Sequence, residues 1–198
     1  MKKRAVFIDR DGTLSEEVGY VNHPTRFRLF PYAAEAIKRL HENDWLAIVI
    51  TNQAGVARGY FSEEMVNAVH EILSSELQTA GTFIDAIYYC AHHPTVGDAP
   101  YRHDCDCRKP KPGLIFRAAK DFDIDLKNSW MIGDRYSDVE LAHNGGVRSA
   151  LVMSGYGRGE WEHQRQTWTH QPDLVADDLL QAVETIATGT AALGRSDT

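Results

Sequence analysis

Short apolar runs alternate along the chain with segments whose apolar residues recur at helical spacing. Residues 5–8 (AVFI) read as a buried strand ending at Asp9. Residues 32–42 place Ala33, Ala36, Ile37 and Leu40 on one helical face, and residues 46–50 (LAIVI) form a second strand ending at Thr51. Ser62 suits the N-cap of a helix with Glu63 and Glu64 in its first turn and a stop at Gly81. Its expected apolar stripe is Met65, Val69, Ile72, Leu73 and Leu77. Residues 83–89 read as a strand, and residues 90–112 as an irregular stretch rich in His, Asp, Pro and Cys. A helix over 114–122, a strand over 130–132 running into Gly133-Asp134 and a helix over 139–144 closed by Gly145-Gly146 follow. A strand over 149–153 and a helix over 177–187 complete the pattern.

Strands separated by helices predict βαβ units, and hence an α/β, Rossmann-like parallel sheet with helices on both faces. Ligands bind at the carboxyl ends of the strands in such sheets. Asp9, Thr51 and Asp134, each at the end of a buried run, should therefore converge on one rim. No internal repeat or low-complexity linker interrupts residues 1–187, which are expected to form one domain, with residues 188–198 a small, polar, disordered tail. Only 41 residues separate Asp9 from Thr51, and 57 separate Thr51 from Lys109. The predicted elements consume most of both, so no cap domain fits.

Composition narrows the class without naming it. With 43% hydrophobic and 25% charged residues, the 198-residue chain has the makeup of an ordinary globular protein. A net charge of −7 argues against a nucleic-acid footprint, which needs clustered Lys and Arg. The N-terminal MKKRAVFIDRDG has too short an apolar run for a signal peptide, and residues 45–50 are too few to span a bilayer. A cytoplasmic chain engaging neither membrane nor nucleic acid is expected. Three cysteines, an odd number, argue against a disulfide framework there.

Asp9 and Asp11 lie two residues apart at a strand exit, and Gly12 permits a sharp turn. Paired carboxylates repel unless a cation sits between them or one stays protonated. With Asp134 arriving from another strand, a hard divalent cation such as Mg²⁺ is the natural partner, and one carboxylate could then attack phosphorus. A second cluster lies further along. Cys90, Cys105 and Cys107 together with one imidazole make the four-ligand set that tetrahedral Zn²⁺ prefers, with His92, His93 and His103 as rivals for the fourth place.

FIDRDGTL, VITNQ and MIGDRYSD, in this order and each after a strand, resemble the first, second and fourth motifs of the haloacid dehalogenase superfamily. The resemblance implies an Asp9 nucleophile that forms an aspartyl-phosphate and an Asp11 general acid and base, a residue that favours phosphatase over dehalogenase chemistry. It implies Mg²⁺ on Asp9, Asp134 and the backbone carbonyl of Asp11, with Asp138 as a supporting acid. Thr51 and one lysine would hold the transferring phosphoryl oxygens.

YYCAHHP followed by CDCRKPKPG is similar to the zinc-containing branch of that superfamily, the D,D-heptose 1,7-bisphosphate phosphatases and the phosphatase domain of histidinol-phosphate phosphatases. That branch implies a structural zinc on Cys90, His92, Cys105 and Cys107, with Lys109 as the phosphate-gripping lysine and Arg108 in substrate recognition. Lys111 reads as a solvated charge. Specificity is expected from open loops: Glu17, Val18, Gly19 and Tyr20; Asn52, Gln53 and Ala54; Arg108 and Arg135. An arginine pair suits a substrate with a second anionic group. The expected reaction is removal of the 7-phosphate from D-glycero-D-manno-heptose 1,7-bisphosphate, a small phosphorylated sugar on the route to surface polysaccharide, by a monomer. Histidinol phosphate, which Glu16 or Glu17 could serve, is the alternative substrate. A polynucleotide 3′-phosphatase and a silent zinc-loop binding module are more distant ones.

Overall fold

Apolar residues at consecutive positions commit a strand to burial on both faces, and β1 (Arg4–Ile8) shows how the fold uses them. Val6 and Ile8 face one hydrophobic layer, whereas Ala5 and Phe7 face the other. The computed structural model describes residues 2–189. β1 lies beside β2 (Trp45–Asn52) on one side and β4 (Trp130–Gly133) on the other, in parallel register, with Ile8 opposite both Val49 and Ile132. β3 (Ala86–Cys90), β5 (Arg148–Val152) and β6 (Leu174–Ala176) complete a six-stranded parallel sheet in the order β3-β2-β1-β4-β5-β6. The strand order reverses direction at β1/β4, the place where sheets of this topology open a ligand crevice.

Helices α1 (Ala33–Glu42), α2 (Glu63–Thr79) and α6 (Leu179–Ala187) cover one face, and α3 (Gly113–Phe122) and α4 (Tyr136–Gly145) the other. α1 has no side-chain N-cap bond, and burial holds it instead. Ile37 and Leu40 are fully buried, each contributing roughly 1.5–3 kcal/mol. A capping bond typically contributes about 1 kcal/mol, so packing decides this helix. The β1–α1 connection contains only a short 3-10 turn, Pro24–Arg26, among regular helices and strands.

Several boundaries differ from the sequence reading. β3 starts at Ala86, where pairing with Ile48 begins, and Phe83 is exposed instead of joining the strand. α4 starts three residues early because the Asp138 carboxylate accepts the Arg135 amide at 3.1 Å and caps the new first turn. On α2, His70 joins Val66, Val69, Leu73 and Leu77 on the buried face, while Met65 and Ile72 lie at its margin. α5 (Gly157–Gln164) and the three-residue β6 have no counterpart in the apolar pattern, since α5 buries only Gly157. Residues 190–198, which hold most of the expected tail, lie outside the described residues. Among the described residues, no helix is long and apolar enough to cross a membrane.

Candidate active site

The carboxyl ends of β1, β2 and β4 bring Asp9, Thr51 and Asp134 to one rim, beside a cavity of about 550 Å³. Asp9 Oδ1 accepts the Arg10 amide at 2.8 Å and meets Lys109 Nζ at 2.8 Å. No hydrogen bond engages Asp9 Oδ2 among the described residues. Lys109 Nζ also lies 2.7 Å from Asp138 Oδ1, so one ammonium bridges two carboxylates. Its backbone is pinned to β2 by Asn52, whose amide side chain accepts from Lys109 N at 3.1 Å and donates to Lys109 O at 3.3 Å.

Three buried carboxylates, Asp9, Asp134 and Asp138, gather their oxygens within 4.8 Å. Burial pushes Asp9 up to about 7 although the Lys109 ammonium pulls it down. Burial, then the negative charges of Asp9 and Asp138, likewise raise Asp134. For Lys109, burial works to neutralise the ammonium, but Asp138 and Asp9 outweigh it and hold the group above the usual lysine range. One resident cation thus sits among three buried carboxyl groups and pairs with two of them. Asp134 Oδ1 is buried with no hydrogen-bond partner, and the all-oxygen donor set suits a hard divalent ion. Two glycines make room: a Cβ on Gly12 (φ 84°) or on Gly155 (φ 53°) would collide with Asp134 Oδ2. Without Lys109 the cluster would hold uncompensated buried charge. Lys109→Met is therefore expected to cost about 3–5 kcal/mol of stability in chelator, read by urea unfolding. A loss below about 1 kcal/mol would contradict that account.

Asp11 lines the same cavity, held from behind. Its carboxylate receives Arg10 Nε at 3.0 Å and Nη2 at 2.7 Å, and Gln53 Nε2 at 3.0 Å. Gln53 also donates to Thr51 Oγ1 at 2.9 Å, coupling the two motif positions. Arg10 is itself buried, and its Nη1 contacts His70 Nε2 at 3.1 Å. Arginine only donates, so Nε2 must carry a lone pair and His70 must be neutral. Burial, then the Arg10 charge, lower His70 to about 4. Because this folded-state value lies below the unfolded 6.5, the stabilisation is full above pH 6.5 and is lost as pH falls toward 4. At pH 5 the wild type should lose about 2 kcal/mol relative to pH 7 that His70→Gln does not. Equal losses in paired urea titrations would refute the assignment.

The cysteine loop closes on the same strand end. Sγ of Cys107 lies 3.2 Å from Sγ of both Cys90 and Cys105, Cys90 and Cys105 are 3.5 Å apart, and His92 Nδ1 lies 3.2 Å from Cys107. These separations are too long for a disulfide, about 2.05 Å, and shorter by up to about 0.6 Å than the edge, about 3.8 Å, of a tetrahedron built on Zn–S bonds of about 2.3 Å. Three thiols and one imidazole nitrogen fit zinc and leave no ligand position to water. Among the rivals, His93 Nδ1 accepts the Thr95 and Val96 amides, and His103 Nδ1 contacts the Pro100 carbonyl. Lys111 pairs with exposed Asp104.

Of the expected specificity positions, Glu17, Gly19, Tyr20, Asn52, Ala54, Arg108 and Arg135 line the cavity. Val18 and Gln53 do not: Val18 packs against the core, and Gln53 is buried behind Asp11 and Thr51. The sequence reading missed Arg10, His70, Tyr156 and Glu160. The spacing of Tyr156, Glu160 and Gln164, one residue per helical turn, was the available signal for α5.

Comparison with known proteins agrees with this geometry. The HAD-hydrolase-like family model matches residues 106–182. A D-glycero-D-manno-heptose-1,7-bisphosphate 7-phosphatase from Thermosynechococcus vestitus is 40% identical, over 96% of this chain and 99% of its own. A D-glycero-beta-D-manno-heptose-1,7-bisphosphate 7-phosphatase from Pasteurella multocida is 39% identical, over 88% of this chain and 94% of its own. The crystal structure of D,D-heptose 1,7-bisphosphate phosphatase from B. bronchiseptica, complexed with magnesium and phosphate, superposes with a TM-score of 0.83 at 31% identity, covering 94% of this chain and 99% of that one. The six-stranded parallel sheet, the strand-end carboxylates and these relatives agree: the chain belongs to the heptose-1,7-bisphosphate 7-phosphatase family of the haloacid dehalogenase-like hydrolases.

Proposed function

We propose that this chain removes the 7-phosphate of D-glycero-D-manno-heptose 1,7-bisphosphate, as one capless cytoplasmic domain acting as a monomer on a small phosphorylated sugar. The observation that carries the chemistry is the bridge from Lys109 to Asp9 and Asp138 beside the orphaned oxygen of Asp134. The substrate comes from the relatives, with Arg108 and Arg135 in the cavity as the groups for a second phosphate.

Asp9 Oδ2, the oxygen free of hydrogen bonds, attacks phosphorus. The bond from phosphorus to the C7 oxygen breaks, and Asp11, entering each turnover with the proton it takes from water in the hydrolysis step, delivers it to that oxygen. Lys109 and Thr51 hold the phosphoryl oxygens as charge redistributes over them. Asp11, now a carboxylate, takes a proton from water, which attacks the phosphorus of the aspartyl-phosphate and frees phosphate and Asp9. Mg²⁺ on Asp9, Asp134 and the Asp11 carbonyl would neutralise phosphoryl charge and keep Asp9 ionised. Arg10 and Gln53 fix the direction of Asp11 between the two steps, and zinc on Cys90, His92, Cys105 and Cys107 would hold the loop that delivers Arg108 and Lys109.

Phosphate release with Mg²⁺ should be compared on heptose 1,7-bisphosphate, histidinol phosphate and a 3′-phosphorylated oligonucleotide. The bisphosphate is expected to lead in kcat/KM by at least about a hundredfold. Preference for either of the others would overturn the substrate.

A further inference from the structure

One wall of the cavity comes from α5 and its N-cap residue, through Tyr156, Glu160 and Gln164 at one-turn spacing. Glu160 is 12% exposed in its side chain, although it belongs to a polar, mostly exposed helix. Its Oε1 accepts Arg135 Nε at 3.1 Å, and its Oε2 accepts the Tyr136 amide at 2.6 Å. The Arg135 guanidinium carbon lies 4.5 Å from the centroid of the Tyr156 ring, within cation–π range. Arg135 is half exposed and would otherwise sample many rotamers. Here it is gripped at Nε by a carboxylate and on one face by an aromatic ring. Among the described residues its two terminal nitrogens make no hydrogen bond, and it lines the cavity.

A surface ion pair would leave both partners rotating freely. Glu160 cannot do so, because its second oxygen is committed to the backbone at the first turn of α4. We propose that Glu160, with Tyr156 beneath, is a positioning residue that presents the free fork of Arg135 to the substrate's second phosphate. This selects bisphosphates over monophosphates and rests on the bisphosphate reading above. A planar fork held at Nε keeps two parallel donors, the arrangement that matches two phosphate oxygens.

The test compares heptose 1,7-bisphosphate with heptose 7-phosphate, which carries the reacting phosphate alone. In Glu160→Ala the advantage of the bisphosphate in kcat/KM should fall about tenfold, carried by KM rather than kcat. Glu160→Gln, which can still accept the Tyr136 amide, should lose part of the advantage and keeps the test valid if the alanine variant does not fold. In an Arg135→Met background, Glu160→Ala should change the ratio no further. An equal fall in kcat on both substrates would mean that Glu160 only supports α4, and would overturn the proposal. If Arg135→Met itself leaves the ratio unchanged, the role of Arg135 in the substrate reading fails first, separately from the role of Glu160.

Discussion

Asp9→Asn is expected to abolish phosphate release, by about 10⁴-fold or more, while leaving the protein folded and at least as stable. The amide is nearly isosteric, so the Arg10 amide and Lys109 keep an acceptor at Oδ1. What disappears is the anionic nucleophile, and enzymes lose factors of this order when that group is removed. Stability should not fall, because one negative charge leaves a cluster in which burial already pushes Asp9 up to about 7. Lys109 retains Asp138 at 2.7 Å. Single-turnover release of phosphate and a thermal melt report both halves. Activity within tenfold of wild type on any substrate would exclude the aspartyl-phosphate route, and a collapse in melting temperature would show that the charge account of the cluster is wrong.

Loss of zinc should have the second largest effect. Metal binding to four such ligands contributes about 10–16 kcal/mol in isolated zinc peptides, and here the cost should fall on one loop before the sheet. The loop has little core of its own, and Cys90 and Cys107 are the members of the set buried against Ile50, Leu114 and Ile115. Arg108 and Lys109 directly follow Cys107. Cys107→Ser, or prolonged chelation, is therefore expected to release one zinc per chain and to lower the melting temperature by about 10 °C or more. It should also reduce activity at least about a hundredfold by freeing Lys109 from its two carboxylates, with Mg²⁺ unable to restore it. Full activity in protein shown by elemental analysis to lack zinc would end this reading.

Asp9, Thr51 and Asp134 were legible in the sequence because a buried strand announces its own end, and in a parallel sheet those ends share a rim. The three cysteines of the candidate zinc site were legible for another reason: soft donors are scarce, whereas residue type alone left His92, His93 and His103 as rivals for the fourth place. His70 was not. Apolar periodicity assigns a stripe by residue type, and a histidine is passed over even when Val66, Val69 and Leu73 surround it on the buried face. Arg10 shows the same limit more sharply. Charged residues are expected outside, and nothing local indicates that a neighbouring carboxylate and a histidine sixty positions away will receive all of this guanidinium's contacts with side chains. α5 escaped because its one large apolar side chain, Trp161, packs at the edge of a small cluster with Trp168 and makes no helical stripe.

The sequence alone therefore determined five of the six strands, the rim on which the carboxylates meet and the grouping of the three cysteines, since each follows from local periodicity or from the rarity of the residue types involved. Tertiary structure alone decided that Asp11 is turned to Arg10 and Gln53, that Lys109 bridges Asp9 and Asp138, and that Glu160 holds Arg135. Those pairings join side chains from separate elements. Burial and charge select them only after the strands and helices have been packed into place.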